Sequence, residues 1–351
     1  MHEMTKSYGK ISLDLDDLVE RNQIDSALAD RLSTLKLPTQ STHYLVSVLY
    51  IIGAIAAAAG VVLLKPTATT GLILGLACLA GGKFIQFRKM EDLNILALAL
   101  GIGGAAGIVG WFVLEFGETL SAIMVNGFAT LVTAAIALFF RSRFLAALVP
   151  LGLGAMIGSG GAYWHAAYAI FVREPTITVV LFSAIAAVLF WLCEKHLKAG
   201  SDFAGMSVVA ARMSVIITNF GFWVGSLWGD SVGQYLFVTS HLKPDELTRD
   251  EIRAAESAFR DATLFIHEHV FAVGWAAFCI GLIMIGKRIS NRFVEICGIV
   301  FLAINAFTQY FEYFEDEPWA LIFGGLALVG IAVVLIKREL HQFRKLNDQT
   351  A

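Results

Sequence analysis

Two sets of residues interrupt long apolar stretches with groups that hydrocarbon does not solvate. Arg212, Asn219 and Trp223 follow one another at steps of seven and four. Asn305, Gln309 and Glu312 follow at steps of four and three. On a helix of about 3.6 residues per turn, each set falls on one face. A polar group inside a bilayer is costly unless it is paired or lines a watery path. These six residues are therefore the candidates for a cavity or substrate site. Their alternative use is interhelical hydrogen bonding. Arg212 has a third option, because its long stem lets the guanidinium snorkel to the headgroups.

His267-Glu268-His269 is the next group with chemical potential. Two histidines one residue apart can share a metal on a strand, whereas on a helix they point about 200° apart. His267 and His269 are thus weak metal candidates, and the reading expects no metal. Cys78, Cys193, Cys279 and Cys297 stand apart within or beside apolar blocks and read as buried thiols. Gly101-Ile102-Gly103-Gly104-Ala105-Ala106-Gly107 imitates a dinucleotide fingerprint, but it lies inside an apolar stretch with no strand before it. No nucleophile constellation, phosphate loop or zinc-protease motif is present. No cofactor is expected, and the chain does not read as an enzyme.

The elements that must position these residues are membrane spans. The 351 residues are 57% hydrophobic and 16% charged, against about 25% charged in soluble domains. The apolar residues come in blocks of about 20, the length that crosses a bilayer core. The blocks predict about ten spans: 44–64, 68–87, 93–114, 119–140, 144–164, 176–195, 207–229, 267–286, 293–314 and 319–337. Lys83, Arg88, Arg141, Arg143, Lys195, Lys198, Lys287, Arg288 and Arg292 fall in alternate loops. The basic tail 338–351 continues the pattern. Placing these charges inside puts both termini in the cytoplasm. The short loops on the other side hold few cations, Lys65 and Arg173, and carry acids such as Glu115, Glu118 and Glu315. Pairs of glycines four apart, at Gly71/Gly75, Gly103/Gly107, Gly154/Gly158 and Gly221/Gly225/Gly229, suit close helix packing.

Two polar segments flank these spans. Residues 1–43 form a headpiece of two short helices, with Asp25 capping the second. They lack the pattern of a cleaved signal peptide, so the first span is expected to serve as the targeting signal. Residues 230–266 form an outer segment. In it Thr248 and Glu251 make a capping box, and Ile252, Ala255, Phe259, Ala262 and Ile266 draw one apolar stripe. This amphipathic helix is expected to run straight into the span at 267. The organisation is then headpiece 1–43, spans one to seven over 44–229, outer helix 230–266, spans eight to ten over 267–337, and the tail.

The headpiece Leu15-Asp16-Asp17-Leu18-Val19-Glu20-Arg21-Asn22-Gln23-Ile24-Asp25, followed by Leu28 and Leu32, stands before a glycine- and alanine-rich first hairpin. This layout resembles a family of bacterial membrane proteins known only as domain of unknown function 2157. The resemblance implies a multi-pass inner-membrane protein and brings no activity with it. The fold expected is an all-α, polytopic transmembrane bundle. Two functions are open. One is transport or lipid handling through a polar cavity between spans seven and nine. The other is a non-catalytic scaffold or sensor that docks partners through the headpiece and the outer helix. The expected partners are membrane lipids and a second copy or another membrane protein. The net charge of −3 offers no surface for nucleic acid.

Overall fold

Apolar stretches closed by capping residues wind into long helices in the computed structural model. It describes residues 67–88, 93–164, 167–198, 200–241 and 248–313, with isolated positions on either side. The helices are α1 (Ala68–Phe87), α2 (Asn94–Phe116), α3 (Ala122–Phe140), α4 (Arg143–Met156), α5 (Pro175–Lys195), α6 (Asp202–Trp228), α7 (Gln234–His241), α8 (Arg249–Ala262), α9 (Glu268–Arg288) and α10 (Arg292–Tyr313). Thr67, Ser121, Ser142 and Ser201 each cap a helix by accepting a backbone N–H three residues on. Pro175 opens α5, where its missing N–H costs nothing.

Seven of these helices, α1, α2, α3, α5, α6, α9 and α10, are long and apolar enough to cross a membrane. They correspond to the expected spans at 68–87, 93–114, 119–140, 176–195, 207–229, 267–286 and 293–314. Leu131 on α3, Val180 on α5 and Val273 on α9 are each more than 60% exposed. Outward-facing aliphatic surface on this scale suits lipid and would be a liability in water. But for isolated positions, the headpiece and the stretches at 44–64 and 319–337 lie outside the described residues, as does the tail.

The stretch at 144–164 departs from expectation. It is not a single helix. α4 ends at Met156 after 14 residues, which is about 21 Å and short of a bilayer core. The chain then forms an antiparallel hairpin, β1 (Ser159–Trp164) on β2 (Ala167–Val172). The cause is local. Gly158, two residues past the end of α4, takes a left-handed φ of 77°, which a β-carbon disfavours, whereas Pro150 is accommodated within the helix. The outer segment departs too. Its helix α8 has the expected capping box of Thr248 and Glu251, but it does not run into α9. Thr263 turns extended, and Phe265–Ile266 (β4) pairs with Asp230–Ser231 (β3). Ile266, expected on the helical stripe, is therefore a strand residue. The short helix α7 was also not foreseen.

Helices consecutive in the chain and of membrane length pack antiparallel, and α6 is the hub. It packs on α4, α5, α9 and α10. In its apolar window 44% of residues are buried, against 17–28% in the other spans. Around it Trp275, Cys279, Val215 and Phe301 form one core. Phe140, Leu145, Ile136 and Met206 form a second. α1 and α2 meet backbone to backbone. A β-carbon on Gly107 would stand 2.7 Å from the Gly71 carbonyl oxygen and 2.8 Å from Gly75 Cα. The glycine facing Gly75 alongside Gly107 is Gly104, whereas Gly103 points into open space. At the opposite end of these helices, Lys83 Nζ donates to the Phe139 carbonyl (2.7 Å) and Gln86 Nε2 to that of Phe140 (3.1 Å). α1 thereby satisfies the exposed C-terminus of α3 with a cation and an amide.

Candidate functional site

The two asparagines of the polar stripes are engaged in packing. Asn219, fully buried on α6, donates to the Val215 carbonyl (2.8 Å) and accepts from Trp275 Nε1 of α9 (2.9 Å). Cys279 Sγ reaches the same oxygen at 3.5 Å. Asn305 on α10 donates to the Ala272 carbonyl of α9 (3.0 Å). Both asparagines thus converge on α9 and tie it between α6 and α10. Such bonds contribute roughly 0.6–2 kcal/mol each in a membrane. Trp223 packs into the core around Trp275.

The remaining members do not meet. Arg212 stacks over Phe293 at 5.0 Å, and Phe220 meets Phe301 eight residues further along both helices. On that parallel register Gln309 lies near the level of Trp228, at the far end of α6. Arg212 Nε and Gln309 Nε2 are both buried without a hydrogen-bond partner, but they occupy opposite ends of the bundle. Glu312 is exposed. The histidines sit differently from the helical expectation. His267 is the cap of α9 with extended backbone, so its ring lies 6.0 Å from that of His269, nearly parallel to it. Both approach Glu268, His267 Nδ1 at 2.9 Å and His269 Nε2 at 3.9 Å. Among the described residues no group of three or more metal-ligating side chains forms.

An apolar groove of about 360 Å³ lies between α5 and α9, with Val215 and Thr218 of α6 among its lining. A second, of about 290 Å³, lies at the end of the bundle that carries both strand pairs.

That end is built by two buried carboxylates that the sequence reading passed over. Glu174 immediately precedes α5 and is fully buried. Its carboxylate accepts from the backbone N–H groups of Gly233 (2.7 Å), Tyr235 (2.6 Å) and Leu236 (3.4 Å), at the start of α7. Asp230 stands shortly before α7 and is 5% exposed. Its carboxylate accepts from the Thr176 N–H (2.8 Å), in the first turn of α5. Each acid therefore caps the helix that follows the other, where free N–H groups and the helix dipole favour negative charge. Burial pushes both carboxyls above their ordinary range, against the downward pull of these hydrogen bonds. The clasp fixes α7, and with it the β3–β4 pair and α8, to the ends of α5 and α6. Phe237 of α7 stacks on Phe259 of α8 at 4.6 Å. The one trace of this clasp in the sequence is an acid directly before a helix-opening proline.

Arg173 and Arg260 line the cavity beside the clasp. The Arg173 guanidinium lies 5.3 Å from the Tyr235 ring centre. Neither arginine forms an ion pair among the described residues. The two acids are held by amides, whereas the two cations are available.

No family model, no curated protein and no solved structure matches this chain.

Proposed function

We propose that the protein is a non-catalytic, multi-pass bacterial inner-membrane protein that works by recognition, through the cap formed by β3, α7, α8 and β4. On the charge pattern of the loops, this cap faces away from the cytoplasm and both termini face inward. One observation carries the reading. The polar groups at mid-span, Asn219 and Asn305, are consumed by helix packing, whereas the cap is clasped rigidly to the bundle and presents unpaired arginines. A polar pathway between α6 and α10 would need those asparagines free. Lipid handling has one observation of its own, the apolar groove between α5 and α9.

Accessibility to a hydrophilic thiol reagent separates recognition from transport. The four native cysteines are replaced by alanine, and single cysteines are then placed at 219, 305 and 312. Recognition predicts that 219 and 305 stay unreactive in folded protein while 312 reacts. Rapid labelling at 219 and 305 would restore a watery path and overturn the proposal.

A further inference from the structure

We infer that the cavity beside the carboxylate clasp binds the phosphate of a lipid headgroup from the leaflet this end faces. The inference deepens the recognition reading and rests on it. Arg173 comes from the segment before α5 and Arg260 from the last turn of α8, so two separate elements bring cations to one cavity. Gln234 and Ser231 add neutral polar groups to the same lining. A phosphate, with several acceptor oxygens and at least one negative charge, matches two guanidinium groups better than any neutral ligand does.

Asp230 itself lines the cavity and Glu256 lines the adjoining one with Arg173 and Gln234, yet among the described residues neither acid forms an ion pair with Arg173 or Arg260. Glu174 is occupied by three amides and Asp230 by one.

The floor of the cavity points to a lipid rather than a free ion. Trp228 ends α6 and is 70% exposed, and Val224 lies one turn deeper in the same span. Aromatic side chains at span ends sit at headgroup depth. A phosphate held by the arginines would have its glycerol beside Trp228 and its chain running down past Val224. Free phosphate has nothing to place there.

Binding is measured on the purified full chain in neutral detergent, where both ends are accessible, so the result does not depend on orientation. The probes are phosphatidylglycerol, inorganic phosphate, and diacylglycerol with the same chains. Phosphatidylglycerol is expected to bind, and diacylglycerol is not. Arg173→Gln and Arg260→Gln should each weaken phosphatidylglycerol roughly tenfold. Arg253→Gln, an equal loss of charge on an exposed position of α8, should leave it unchanged. Arg260→Glu provides a variant that folds, because position 260 is exposed at the end of α8, while the reversed charge repels phosphate. It should lose the lipid with its thermal midpoint intact. Equal binding by all variants would overturn the site. Inorganic phosphate competing at the affinity of the lipid would overturn the lipid assignment.

Discussion

At the residue scale, buried polar atoms hold this protein together. Asn219 satisfies Trp275 Nε1 and Cys279 from one oxygen. Asn219→Leu strands the indole N–H in a dry core and should cost about 1–3 kcal/mol. Thermal unfolding in detergent checks this, and Asn305→Leu should behave alike, with a smaller loss. Glu174 and Asp230 carry a pH signature. Both are raised in the folded state, so the folded protein holds more protons than the unfolded chain between the ordinary and the raised values. Stability therefore falls as pH rises through that window. Unfolding midpoints against pH should show this fall, and Glu174→Gln with Asp230→Asn should flatten it. A wild type that gains stability over the window would contradict the burial argument. The sequence showed which positions were polar but not what they touch. Asn219 stood out because its neighbours are apolar, yet its partner lies 56 residues away. Glu174 did not stand out at all, because its amides lie 59 to 62 residues on and any acid near a loop looks solvated.

At the element scale, most helices were legible from apolar length and caps. What failed was continuity. The stretch at 144–164 has the hydropathy of a span, but α4 stops at Met156 and the left-handed Gly158 leads the chain into a hairpin. Ile266 continued the stripe of α8 by spacing alone, while pairing with Asp230 drew it into a strand. The glycine seam was legible as spacing and only partly as identity, since Gly104 and not Gly103 faces α1. This contact is backbone on backbone, so Gly107→Leu should force α1 and α2 apart. A short bifunctional cross-link between cysteines at 81 and 100, where Gly81 of α1 faces Leu100 of α2, measures the separation, and Gly103→Leu is the control that should leave the seam unchanged. Cross-linking lost in the Gly103 variant, or retained in the Gly107 variant, would show that the seam is misassigned.

At the scale of the whole molecule, the lipid-facing aliphatic surface and the loop charges describe one object, a helical bundle with a cap at the end poorest in cations. The α6 hub ties α4, α5, α9 and α10 together, and the clasp fixes the cap to that hub. The bundle was legible because bilayer thickness sets helix length. The cap was not, because its form depends on two carboxylates acting across the chain. The central claim is that this cap is the recognition face and stands outside the cytoplasm. The direct measurement is labelling of single cysteines, in a chain otherwise without them, by a membrane-impermeant maleimide on intact cells. Ser257→Cys, on the exposed face of α8, should label at once. Ser290→Cys, in the turn between α9 and α10, should label only after the cells are permeabilised. The reverse pattern would place the cap in the cytoplasm and contradict the account.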